Sequence, residues 1–256
     1  MYYDPGTFNN AITIDLLSRY QEGQGLFESF TGTLRDVFLY NRVLSEDEIK
    51  ALVSGGGNSK IFAASLETDF EAAGGELIKN TGWSMGTLSG ERCAVNNSGS
   101  GDGIYYNLTS PIKGNTPVSV SMKLYIPSNL NNDIALFYMG NNSMYENFGF
   151  EIATDGKIHT AWGDDITYNV EYNPLEKANS WFTFTATYDG RIIKLYKDAA
   201  LVSTSNPVTL NINRGFSDAD LVIGSRQNDG RVFKGGIKDV KVYNYCLSAD
   251  EVSTLI

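Results

Sequence analysis

The chain has 256 residues, 42% hydrophobic and 20% charged, with Lys+Arg 20 against Asp+Glu 30 and a formal net charge of −10. That composition excludes a disordered chain and supports a sizeable core without disulfide staples, while the acidic balance argues against nucleic acid and anionic membrane surfaces, which need basic patches. No apolar run approaches the roughly 18 residues of a membrane span, the opening MYYDPGTFNN lacks a signal-peptide pattern, and one histidine, His159, argues against a zinc site or a His-based triad.

Taken in chain order, residues 1–54 read as two or three strands, around 11–18 and 33–41, and a helix over 46–53. Ser45 is its N-cap, with Glu48 three residues later as a capping box. SGGGNS (54–59) is a flexible linker, and the domain boundary is placed at 55–60. Residues 61–256 then form one domain of short alternating runs between turn signals. VSVSMKLYI (118–126), WFTFTATYDG (181–190), RIIKLYKD (191–198), DLVIGS (220–225) and GGIKDVKVYN (235–244) all read as strands. In 181–187, Trp181, Thr183, Thr185 and Thr187 share one face, and Phe182, Phe184 and Ala186 the other. Trp181 is assigned to the core. The C-terminus repeats the earlier logic: Ser248 caps, Glu251 completes the box, and Val252, Leu255 and Ile256 share one helical face. The fold class is therefore all-β, a sandwich or barrel with a short C-terminal helix.

Two of these segments are copies. GTLRDVFLYNRVLSEDEIKALV (32–53) aligns without a gap to GGIKDVKVYNYCLSADEVSTLI (235–256). Gly32, Asp36, Val37, Tyr40, Asn41, Leu44, Ser45, Asp47, Glu48 and Leu52 are identical to their partners. The spacing is one domain long, so residues 1–54 read as the C-terminal part of a preceding domain. Such a segment is expected to pair with another chain or with upstream strands.

The C-terminal pattern Gly236, Ile237, Asp239, Val240, Tyr243, Asn244, Leu247, Ser248, Glu251 and Val252 resembles the laminin G-like, concanavalin A-like jelly-roll superfamily of bacterial or phage type. Trp181 with Tyr188-Asp189-Gly190 and Leu195-Tyr196, and LVIGS at 221–225, extend the resemblance over 61–256. Asp198-Ala199 departs from the Asp-Gly usual in the family. The resemblance implies two curved antiparallel sheets of six or seven strands each. It also implies glycan or surface recognition outside the cell, at a cell surface or on a virion, often with bound calcium.

Several residues are candidates for that work. Glu67-Thr68-Asp69-Phe70-Glu71 matches the E-x-D-x-E signature of laminarinase-type glucanases, in which two carboxylates act as nucleophile and acid. Its place near the start of the domain argues against catalysis; the resemblance, in which a calcium often ties the first strand to the last, implies instead a cation site of Asp69 and Glu71 with Asp239 as a third ligand. A second candidate is the loop of Trp162, Asp164, Asp165 and Tyr168, where an aromatic beside carboxylates suits a sugar ring. Tyr145 is grouped with these, and Phe148, Tyr105 and Tyr106 are expected on the same concave face. Cys93 and Cys246 are read as free thiols, with a disulfide left open. The expected function is a non-catalytic carbohydrate- or surface-recognition module, stabilised by calcium and without nucleic-acid binding or membrane insertion. The alternatives are a structural spacer without ligand and a β-glucan hydrolase using Glu67 and Glu71.

Overall fold

The computed structural model describes residues 18–21, 25–29, 43, 58–97, 102–128, 134–141, 143, 145–153, 155–160, 173–174, 178–213, 219–226 and 231–256. The chain divides into two compact units, Met1–Val43 and Leu44–Ile256. Within the first, β1 (Ser18–Gln21) and β2 (Gly25–Ser29) pair antiparallel, with a register irregularity at Arg19/Tyr20. The expected strand at 33–41 and the helix at 46–53 lie outside the described residues.

The second unit is an antiparallel two-sheet sandwich of jelly-roll type. Its strands are β3 (Lys60–Ala64), β4 (Gly75–Asn80), β5 (Ser84–Leu88), β6 (Glu91–Asn96), β7 (Ile104–Leu108) and β8 (Val118–Tyr125). They continue as β9 (Ile134–Gly140), β10 (Asn147–Ile152), β11 (Ile158–Thr160), β12 (Trp181–Tyr188), β13 (Ile193–Lys197), β14 (Ala200–Thr204), β15 (Leu221–Ile223) and β16 (Gly235–Tyr243). Among the described residues, one sheet has six strands in the order β11-β10-β9-β15-β7-β4. The other has eight: seven in the order β14-β13-β12-β8-β16-β6-β5, and β3 paired to β16. Among the described residues the second sheet thus has one strand more than the resemblance implies, because β3 and β6 share one flank of β16. β6 takes Gly235–Ile237 and β3 takes Val240–Tyr243.

The period-two pattern of 181–187 is realised. Phe182, Phe184, Ala186 and Tyr188 enter the main core, where Phe184 meets Phe150 of the facing sheet at 5.4 Å between ring centroids. Phe62 meets Tyr106 across the same interior at 5.0 Å. On the outer face Thr185 donates a hydrogen bond to Ser121, its cross-strand partner. Tyr106 and Phe148 are also core residues between the sheets. Tyr105 belongs to a separate cluster with Tyr138 and Val222. Of the four aromatics expected on one face, Tyr105 is thus set apart from Tyr106 by the alternation of their shared strand.

Helix α1 (Ala249–Ser253) carries the expected capping box in full: the Ser248 hydroxyl accepts from the Glu251 N–H, and the Glu251 carboxylate accepts from the Ser248 N–H. Leu247 and Val252 close a small cluster on Tyr196 and Tyr243, with Leu255 packed against it. Ile256, expected on the same face, is exposed. The Asp198-Ala199 turn keeps both residues left-handed, at φ 45 and 65. The Asp198 carboxylate secures it by accepting the Thr183 N–H at 2.9 Å. Both cysteines are free, Cys93 buried and Cys246 half-buried.

Candidate functional site

The E-x-D-x-E segment does not lie on a strand. β3 ends at Ala64, and Leu66 turns the chain left-handed at φ 55 while burying its side chain completely. The three carboxylates are consequently not presented from one strand face. Asp69 and Glu71 sit on an exposed turn in which the Asp69 carboxylate accepts the Glu71 N–H at 3.0 Å and the Thr68 hydroxyl at 3.2 Å. Asp239 occupies an irregularity of β16, at φ 52, and its N–H donates to the Ser65 carbonyl at 2.9 Å. Among the described residues no group of three or more His, Cys, Asp or Glu side chains could hold a metal ion. Asp69, Glu71 and Asp239 thus form no such side-chain group.

The charge that does join these strands is an ammonium. Lys238 Nζ lies 2.8 Å from a carboxylate oxygen of Glu67 and 2.8 Å from one of Glu91. The Lys238 side chain is 9% exposed, against 43% and 44% for its two partners. Burial opposes its charge, but the hydrogen bonds and charges of Glu67 and Glu91 hold it protonated well above the usual lysine range. The Glu67 carboxyl is held below its ordinary value by the hydrogen bond from Lys238 and then by its charge.

An aromatic pair stands beside this ammonium. Trp181 and Tyr125 are cross-strand partners, half-buried, with ring centroids 5.6 Å apart. Trp181 reaches beyond Tyr125 over Gly236, whose absent side chain leaves it room: a Cβ there would lie 2.9 Å from Trp181 Cη2 and 2.8 Å from Leu88 Cδ1. The indole N–H then donates to the Leu88 carbonyl at 3.0 Å, and Lys238 Nζ lies 5.8 Å from the ring centroid. Lys123 lies opposite Lys238 in register, and Arg92 Nε donates to the Glu67 carbonyl at 3.0 Å. The expected core position of Trp181 is corrected. It lies on the threonine face of β12, on the outside of the eight-stranded sheet. The alternation of 181–187 already contains that signal.

A second polar cluster lies on the outer face of the six-stranded sheet, where Lys79, Tyr105, Val222, Tyr138 and Gly149 follow one another in register. Asp102 accepts from Lys79 at 2.6 Å, from the Gly103 N–H at 2.9 Å and from the Tyr105 hydroxyl. Arg226 and Arg231 pair with Glu151 at 3.4 and 2.9 Å. Tyr105 and Tyr138 are 1% and 0% exposed, so this cluster reads as structure. Burial by itself raises the Asp102 carboxyl, but the three donors outweigh it and hold the group below its ordinary value. Asp102→Asn is accordingly expected to lose about 1–2 kcal/mol at pH 7. A depressed folded pKa stabilises above the unfolded value near 3.9 and is lost as pH falls through the folded one. The gap between wild type and variant should therefore begin to narrow in urea titrations below about pH 4 and close as the pH falls further; a gap independent of pH would remove the carboxylate from the account.

Of the other expected ligand contacts, Trp162, Asp164, Asp165 and Tyr168 lie outside the described residues. Tyr145 is half-buried at φ 62, and its side chain packs against the main core.

Known proteins agree with this architecture. The binding domain of Paraclostridial Mosquitocidal Protein 1 superposes with a TM-score of 0.59 at 14% identity, covering 77% of this chain and 51% of that one. The ligand binding domain of botulinum neurotoxin serotype D, solved with N-acetylneuraminic acid, gives 0.54 at 19% identity, over 77% and 50%. Domain 4 of AbnA, a GH43 extracellular arabinanase from Geobacillus stearothermophilus in complex with arabinotriose, gives 0.51 at 16% identity, over 77% and 98%. The matched part thus spans about half the length of the toxin domains. Among curated proteins no sequence matches at a significant level. A sequence profile matches residues 98–253, more than half of the chain. By that match the chain belongs to the concanavalin A-like lectin/glucanase superfamily, in its laminin G-like branch.

Proposed function

We propose that the second unit is a non-catalytic saccharide-recognition module of a larger extracellular, cell-surface or virion protein. The carrying observation is the Trp181–Tyr125 pair, two half-buried rings laid on an outer sheet face beside Lys238, Lys123 and two carboxylates. Such a surface offers an apolar face for the C–H side of a sugar ring and charged groups for its hydroxyls. The arabinotriose and N-acetylneuraminic acid bound by two similar domains supply the ligand classes to try first.

Hydrolysis finds less support. A glycosidase needs one protonated acid beside one ionised carboxylate. Lys238 keeps Glu67 ionised, while Glu71 stands on an exposed turn.

The test is a glycan array on the full chain, followed by titration of the best ligand. Trp181→Ala and Tyr125→Ala are expected to weaken binding about tenfold each, the usual scale for an aromatic anchor. Circular dichroism at the titration temperature should show both variants folded. An empty array would leave a structural spacer as the reading. Variants that bind as tightly as the parent would move the site elsewhere.

A further inference from the structure

The resemblance places a divalent cation between the first and last strands of this fold, and the residues expected to hold it form no metal-holding group of side chains. The join itself is nevertheless made. β3 and β6 lie end to end along one flank of β16, taking Val240–Tyr243 and Gly235–Ile237 respectively. Lys238 and Asp239 fall opposite the gap between them. There the register slips, Asp239 turns left-handed, and its N–H holds the carbonyl of Ser65, the residue just after β3. Lys238 meets Glu67 from the β3 side and Glu91 from the start of β6, both at 2.8 Å.

We propose that the Lys238 ammonium is the protein's own replacement for a divalent cation at this seam, and that the domain's stability is independent of calcium. An oxygen-lined gap between two carboxylates is the kind of site a hard cation takes. A buried ammonium in the same gap satisfies the same oxygens and repels a second cation. The repeat carries the same chemistry: Arg35 stands at the position matching Lys238, beside Asp36 at the position of Asp239. The inference concerns stability alone and does not rest on saccharide binding.

The experiment is thermal unfolding of the full chain, followed by circular dichroism, in EDTA and in millimolar calcium chloride. The wild-type midpoint should be the same in both. Lys238→Met should lower it by several degrees, equally in both. Lys238→Asp should lower it in EDTA and recover several degrees in calcium, because three carboxylates then face the gap. A wild-type midpoint that falls by several degrees in EDTA overturns the proposal. So does a Lys238→Met protein as stable as the parent, or a folded Lys238→Asp protein indifferent to calcium. If Lys238→Asp does not fold, the Glu67→Gln/Glu91→Gln double variant decides. Its midpoint should fall below wild type in both conditions, and an unchanged midpoint overturns the proposal.

Discussion

Replacing Phe184 with alanine is expected to cost about 3–5 kcal/mol, the range for deleting a buried phenylalanine. The residue is fully buried on β12, a strand hydrogen-bonded on both sides, by β8 and β13. Its ring meets Phe150 of the opposite sheet edge-on, at an interplanar angle of 68°. The two sheets share no hydrogen-bonded strand pair among the described elements, so interlocking side chains of this kind hold them together. The loss therefore combines transferred apolar surface, the cavity left behind and a favourable aromatic pair. At roughly 2–4 °C per kcal/mol for a domain of this size, the midpoint should fall by about 6–20 °C. Thermal and urea unfolding both read it. A loss below about 1 kcal/mol would mean that the facing surfaces collapse onto the gap and that this contact is not a main joint.

Gly235→Ala should be nearly as damaging, for a different reason. Gly235 opens β16 at φ +155, and a Cβ there would lie 2.4 Å from the Tyr125 carbonyl oxygen and 2.6 Å from Phe233 Cζ. Neither neighbour can give way: one is backbone of the adjacent strand, and the other is a completely buried ring. Overpacking together with backbone strain should cost about 3 kcal/mol. Gly90→Ala is the control. Gly90 is also left-handed, at φ +85, but nothing lies within 4 Å of the place its Cβ would take. It should lose only about 1–2 kcal/mol, the strain of the left-handed region. Equal losses in the two variants would show that backbone conformation alone decides and that crowding contributes nothing.

The fold is legible in the sequence because its signals are local. Alternation in 181–187 separates Phe184 from Thr185, and Ser248 with Glu251 announces the capping box. The repeat is legible too, but part of its meaning is not. Asp239 recurs as Asp36, which invites a ligand role; the structure gives it a backbone role in a left-handed irregularity, a conformation that aspartate tolerates better than most residues. Glu67 and Asp69 resemble one catalytic face only while the run is taken for a strand. The left-handed Leu66 breaks that periodicity, and no local residue type signals it. The ammonium bridge is invisible for a plainer reason. Lys238 lies 171 positions from Glu67 along the chain, and only the meeting of three strands places it there.

The arrangement around β16 also sets an order of events during biosynthesis. Strands β8, β6 and β3 all pair with it, so the last strand of the domain to be translated occupies the middle of its larger sheet. Until residues 235–243 have been made, β3 and β6 have no template on that flank, and β8 keeps only its β12 side. Pairings of such long sequence separation are slow, because the chain must close a large loop before any contact rewards it. A chain made only as far as residue 234 therefore leaves these strand edges unpaired, and the larger sheet is completed only by its C-terminal strand.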